Sequence, residues 1–240
     1  MSRVPDGKAA ATRPARRSAR PLSAPRFTIG ASSLRSRETP DVHRVLTPAD
    51  YRRMPWKNGG GQTTEIAAYP PQANLDAFAW RASVADVTRD GAFSAHPGVD
   101  RTLVLLQGAG MLLSGAGEPL DVRARYEPVT FAGDTALECR LTGGAARDFN
   151  LMIRRTAARG QLSVVRDEAG IIVPSRFRLC YAAAGACECL LAGHVPLVLK
   201  EGHALLIDAE AAPPPALHVN PLAPDTVALV ASIDLLESAR

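Results

Sequence analysis

The sequence predicts an all-β protein, arranged as a sandwich or barrel in two halves. Short runs rich in β-branched and aromatic residues recur along most of the chain, and turn-forming clusters such as "YPPQAN", "HPGVD" and "FAGD" separate them. That spacing belongs to sandwiches and barrels. At 240 residues with 46% hydrophobic side chains, the chain can bury a core in one large β domain or two small ones. Its longest apolar runs, such as 103–106, fall far short of the roughly 20 residues that a membrane helix needs.

Residues 1–37 hold nine of the chain's 28 Lys and Arg but only one of its 24 acids, Asp6, among Ala, Pro and Ser. This basic tail is expected to be disordered. Its composition is that of a transit peptide without a sustained amphipathic period, of an upstream extension of little consequence, or of a weak basic arm for nucleic acid or membrane. The remaining residues carry four more acids than bases, so the folded part lacks a nucleic-acid footprint.

"HRVLTPADYRRM" then predicts a short strand, Thr47 as an N-cap, Pro48 at the first helical position and a brief helix or turn over 48–54. In "MPWKNGGGQTTEIAAY", residues 54–69, three consecutive glycines lose much chain entropy on folding. The hydrogen-bonding groups of Trp56, Lys57, Asn58, Gln62, Thr63, Thr64 and Glu65 around them raise the question of a binding loop. Strands are expected over 63–69, 78–87, 102–107, 111–114, 129–131, 137–141 and 149–154 in the first half. The second half adds 161–165, 177–182, 187–191, 197–199, 204–207 and 227–233, with the division falling near 156–165. "APPPALHVNPLAP" is too rich in proline for a central strand.

Alternation marks where a cavity could lie. Phe78, Trp80, Ala82 and Val84 share one strand face, and Arg81 and Ser83 share the other. In "DFNLMIRR", Phe149, Leu151 and Ile153 alternate with Asp148, Asn150, Met152 and Arg154. Turned inward, these polar faces would make a ligand cavity; turned outward, they would be solvated strands.

Other chemistries fit poorly. Gly60-Gly61-Gln62 matches the release-factor tripeptide by sequence alone, and no phosphate-binding loop follows Lys57. Ser94 and His96 lack a base-orienting acid. His43, His96, His194, His203 and His218 stand singly, so no metal and no cofactor is expected. Cys187 and Cys189 would share a strand face and could meet a metal, but with Cys139 and Cys180 they read as buried thiols of a reducing cytoplasm. What remains is a hydrogen-bonding and charge constellation that includes Gln62, Glu65, Arg81, Ser83, Asp86, Asp100, Arg101 and Asn150. Arg81 either pairs with Glu65 as a buried ion pair or presents its fork to a ligand carboxylate.

"PWKNGGGQTTEIA", "WRASVADV", "DGAFSAHPGVDRTLVLLQGAGM", "FAGD" and "DFNLMIRR", in that order, resemble the HutD/Ves family of small bacterial cupin-like proteins. His96 stands where such proteins often have an aromatic residue, and the metal-binding histidines of many cupins are missing. The resemblance implies a bicupin, two double-stranded β-helix (RmlC-like jelly-roll) barrels in one chain: a disordered tail over 1–37, a first barrel over 38–158 and a second over 159–240. It implies a cytoplasmic protein that binds an intermediate of histidine utilisation, formylglutamate or urocanate, and modulates flux or induction. On this reading Arg81 and Arg101 hold a ligand carboxylate, while Asn58, Gln62, Thr64, Ser83 and Asn150 complete the site. The other reading is a metal-independent isomerase or hydrolase of a small acid, with Glu65 or Asp86 as general base. The expected partner is the small carboxylic acid, with a homodimer left open and neither nucleic acid nor membrane involved.

Overall fold

The computed structural model describes residues 42–56, 59–115, 117–166, 170–210 and 214–237. The tail 1–37, Lys57 and Asn58 lie outside the described residues. Within them no helix forms. The strands are β1 (His43–Leu46), β2 (Arg52–Pro55), β3 (Gly61–Tyr69), β4 (Trp80–Val87), β5 (Gly91–Phe93), β6 (Val99–Gln107), β7 (Met111–Ser114), β8 (Leu120–Val122), β9 (Pro128–Ala132), β10 (Leu137–Leu141) and β11 (Ala146–Arg154). They continue with β12 (Ala158–Val165), β13 (Gly170–Ile172), β14 (Phe177–Ala184), β15 (Cys187–Leu191), β16 (Leu197–Leu199), β17 (Ala204–Asp208), β18 (Leu217–Pro221) and β19 (Val227–Leu235).

These strands make four antiparallel sheets in two facing pairs. The first pair is a six-stranded sheet, β2-β3-β4-β11-β6-β9, and a four-stranded sheet, β5-β10-β7-β8. Val87, Phe93, Leu103, Leu105, Met111 and Cys139 fill part of the space between them. The second pair is a five-stranded sheet, β1-β17-β14-β19-β12, and a four-stranded sheet, β13-β18-β15-β16, with Cys180, Cys187, Leu205, Leu217, Val219 and Val230 between them. The sulfurs of Cys180, Cys187 and Cys189 meet there within 4.8 Å of one another.

A third apolar layer joins the pairs. Trp80, Ala82, Val84, Phe149, Leu151 and Ile153 of the six-stranded sheet pack against Phe177, Leu179, Tyr181, Leu229 and Ile233 of the five-stranded sheet. The Trp80 and Phe177 rings lie 5.3 Å apart, and those of Phe149 and Tyr181 5.6 Å. The large sheet is therefore buried on both faces, and its polar alternate residues must point into the first pair. That settles the inward reading of the alternation.

Three sequence expectations are corrected. Of the helix or turn expected over 48–54, the turn alternative holds over 48–50, where the Asp50 carboxylate accepts from Thr47 N and Oγ1 at 2.8 Å, and the bound is corrected because the chain is already extended from Arg52. β1, expected in the first barrel, pairs with β17 of the second half, from His43↔Ile207 to Leu46↔Ala204. The proline-rich segment supplies β18, which pairs on both sides, with β13 and β15. Its prolines at 214, 215 and 224 lie outside the strand and Pro221 ends it, so the ladder loses few donors.

Candidate functional site

A cavity of about 490 Å³ opens within the first sheet pair. Its floor is the inner face of the large sheet, where registered pairing sets the polar side chains in rows. One row runs Arg81, Met152, Arg101 and Phe131; the next Glu65, Ser83, Asn150 and Leu103; the third Thr63, Ala85, Asp148 and Leu105. Of these, Arg81, Arg101, Asp148, Asn150, Met152 and Thr63 line the cavity. Trp56, Phe93, Ser94 and His96 close its sides. A smaller cavity of about 230 Å³ shares Trp56, Ala92 and Phe93 with it.

Each arginine is supported differently. Arg81 is 5% exposed, and its Nε donates to Glu65 Oε2 at 2.6 Å while Nη1 meets the Met152 sulfur at 3.9 Å. Glu65 also takes Arg52 Nη2 at 3.2 Å. The buried ion pair foreseen for Arg81 is thus present, and the rest of its fork remains on the cavity wall. Arg101 has no such partner. Its guanidinium lies over the Phe93 ring at 4.3 Å and the Phe131 ring at 5.5 Å, and Nη1 donates to Ser94 O at 3.3 Å. Cation–π contact offsets part of the desolvation, yet burial still lowers its pKa to about 10. Nearby, His96 is pushed down to about 4, first by burial and then by the positive charge of Arg101, so it is neutral around pH 7.

Asp148 is the least expected member. It is buried, and neither carboxylate oxygen has a hydrogen-bond partner among the described residues. Burial raises its pKa to about 7, with the Arg101 charge pulling the other way and Asp86 adding to the rise. Ser83 Oγ, Asn150 Oδ1 and Arg101 Nε are also buried without partners. Native proteins leave few such groups, and four residues with such atoms share one floor.

The structure divides the expected site residues. Arg81, Arg101 and Asn150 come together on the cavity wall, with Ser83 in the row between. Gln62, Thr64 and Asp86 belong to the opposite strand face: Gln62 pairs in register with Asp86, and Thr64 with Val84 of the layer between the pairs. Asp86 is held by Arg147 at 2.6 and 3.1 Å and by Gln62 Nε2 at 3.1 Å, and the Arg147 hydrogen bonds chiefly lower its pKa. Neither Asp86 nor Glu65 is placed as a general base facing the cavity. Asp100 is an exposed partner of Arg155 at 2.6 Å. Asp148, His96, Phe93 and Trp56 were not named as ligand-binding residues, although alternation already set Asp148 beside Asn150.

The glycines turn the β2–β3 hairpin tightly. Trp56 N donates to Gly61 O at 3.0 Å, Gly59 has φ +66°, and a β-carbon on Gly61 would stand 2.2 Å from Asp86 O. The turn aims Trp56 so that its Nε1 donates to Thr63 Oγ1 at 2.8 Å at the cavity side.

Fold and site together define a cupin-like all-β protein with an internal polar cavity. The fold is shared with YlbA from E. coli at 9% identity and TM-score 0.58, and with oxalate decarboxylase at 8% and 0.52. The chain belongs to the HutD family, whose model matches residues 48–225. A 21.2 kDa protein from the hutC 3' region of Pseudomonas putida is 37% identical over 150 residues, 62% of this chain and 78% of that protein. Protein Ves of Cronobacter sakazakii is 39% identical over 143 residues, 58% of this chain and 77% of Ves. The solved structure of HutD from Pseudomonas fluorescens is 30% identical with TM-score 0.69, covering 81% of this chain and all of that one. In the described residues no helix is long and apolar enough to cross a membrane.

Proposed function

We propose that this chain is a cytoplasmic, non-enzymatic binding protein whose first sheet pair holds a small carboxylic acid, and that it modulates histidine utilisation by binding an intermediate such as formylglutamate or urocanate. The two sheet pairs are on this reading the two barrels of a bicupin, dividing near 158/159 with β1 crossing to the second. One observation carries the binding reading: two buried arginines, only one with a carboxylate partner, face one cavity of about 490 Å³. A ligand carboxylate supplies the missing anion, and a planar fork recognises it in bidentate fashion. The family relative beside hutC supports the pathway.

Thermal melting of the purified chain against histidine, urocanate, formylglutamate, glutamate and formate tests this, with calorimetry on each hit. A true ligand at 100 times its dissociation constant adds roughly 2.7 kcal/mol. The expected result is a shift with urocanate or formylglutamate that disappears in a folded Arg101→Met. An unchanged shift in that variant removes Arg101 from the site, and no shift with any acid removes the reading.

A further inference from the structure

The cavity floor is asymmetric in a way that an anion site alone does not explain. One row offers cationic donors, Arg81 and Arg101. Along β11 toward the other end it offers acceptors: both oxygens of Asp148 and Oδ1 of Asn150, all buried and empty. The Arg81–Met152 row and the Asp148 row are four residues apart on β11, about 13 Å along the backbone, and the long arginine side chains shorten the gap. A plain carboxylate brings only acceptors, so it leaves Asp148 and Asn150 unsatisfied at full desolvation cost. A donor satisfies them.

We propose that Asp148, with Asn150 beside it, is the specificity determinant of this cavity, admitting carboxylic acids that also carry an N–H group and rejecting those that lack one. The inference rests on the acid-binding reading above and narrows its ligand class. It also fixes the sign of a proton linkage. The charged and titratable groups around Asp148 are Arg101 from β6, Arg81 and Asp86 from β4, Glu65 from β3, Cys139 from β10 and His96 from the 94–98 segment. Burial raises Cys139 to about 11, Arg101 stays charged below about 10, and His96 is neutral above about 4. Asp86 is lowered and remains ionised. Between about pH 6 and pH 8 the titrating group of the cavity is thus Asp148, and the proton count is read with N-formylglutamate, which does not titrate there, because the imidazole of urocanate does. An N–H donor favours its ionised form, so binding releases a proton and tightens as pH rises; an anionic group at the same place would take a proton up.

Calorimetry on the full chain, in two buffers of different ionisation enthalpy and across that pH range, tests this with matched acids. Urocanate is set against 3-(2-furyl)acrylate, whose ring has an oxygen and no nitrogen, and N-formylglutamate against glutarate, which lacks the formamido group. The expected result is that the N–H member of the bound pair is at least about tenfold tighter, with proton release. Asp148→Leu loses both the preference and the release. Asp148→Asn, which keeps an oxygen acceptor, retains some preference and loses the pH dependence, and it serves if the leucine variant fails to fold. Equal affinity within a pair, or proton uptake, overturns the selectivity and leaves the acid-binding reading standing. No binding of any of the four acids removes both.

Discussion

Replacing Asp148 by Asn should make this protein more stable, and increasingly so as pH rises. Burial raises the folded-state pKa of this carboxyl to about 7, from an ordinary value of 3.8. The folded state therefore keeps a proton that the unfolded state releases between about pH 4 and pH 7, and stability from this group falls as pH rises through that window. At 1.36 kcal/mol per unit, the penalty at pH 8 is on the order of 4 kcal/mol, and roughly half or more of it develops between pH 5 and pH 8. Asn keeps the shape and removes the titration, and whatever its amide gains or loses in packing is the same at both pH values. Urea denaturation of the ligand-free parent and variant at pH 5 and pH 8 isolates the linked part as the change in their difference. A gap that grows by roughly 2–3 kcal/mol supports an orphaned carboxyl. Parallel pH profiles for the two proteins would mean that Asp148 is ionised and satisfied in the fold, and would refute the reasoning.

Two further outcomes follow from the large sheet. Arg81→Met strips Glu65 of its 2.6 Å buried partner and leaves it with the half-exposed Arg52, so a loss of about 3–5 kcal/mol is expected, softened by Arg52. Adding Glu65→Leu should restore most of it, and a double variant as unstable as Arg81→Met in denaturant would sink the account. Gly61→Ala drives a β-carbon to 2.2 Å from Asp86 O and against the Trp56 ring, and should cost at least about 1–3 kcal/mol in melting experiments; an unchanged melting temperature would show that the hairpin does not need the close approach.

The strands of this fold were legible because most of them carry their own β-branched runs and turns, and β10, β15 and β16 fall where the sequence places them. The side of the sheet on which a ligand sits was harder to read, for a physical reason. Alternation in 78–87 and 146–154 shows two faces of different chemistry, but it cannot say which is inside when both are buried, one against Phe177 and Tyr181 and the other around a cavity. Phase was lost next. Gln62 and Thr64 were grouped with Arg81 by proximity in a polar stretch, whereas the antiparallel register sets Gln62 opposite Asp86, and the bulge between Glu65 and Ala67 conceals the phase from a simple count.

The two sheet pairs differ in how their inner faces are filled. Each has a large sheet covered on its outer side by the other, so each inner face had to be filled. In the second pair Cys180, Leu205, Ile207 and Val230 fill it, together with a buried Arg178 whose Nη1 donates to the carbonyl of Pro215 while Nε and Nη2 lack partners among the described residues. In the first pair, Ser83, Arg101, Asp148 and Asn150 occupy part of the inner face and leave several hydrogen-bonding atoms without partners. Packing in the neighbouring pair is met mainly by apolar side chains, with the buried Arg178 as its exception. Keeping desolvated donors and acceptors there is unfavourable to the protein by itself, and on the binding reading proposed above a molecule that brings both an anion and a donor offsets that cost.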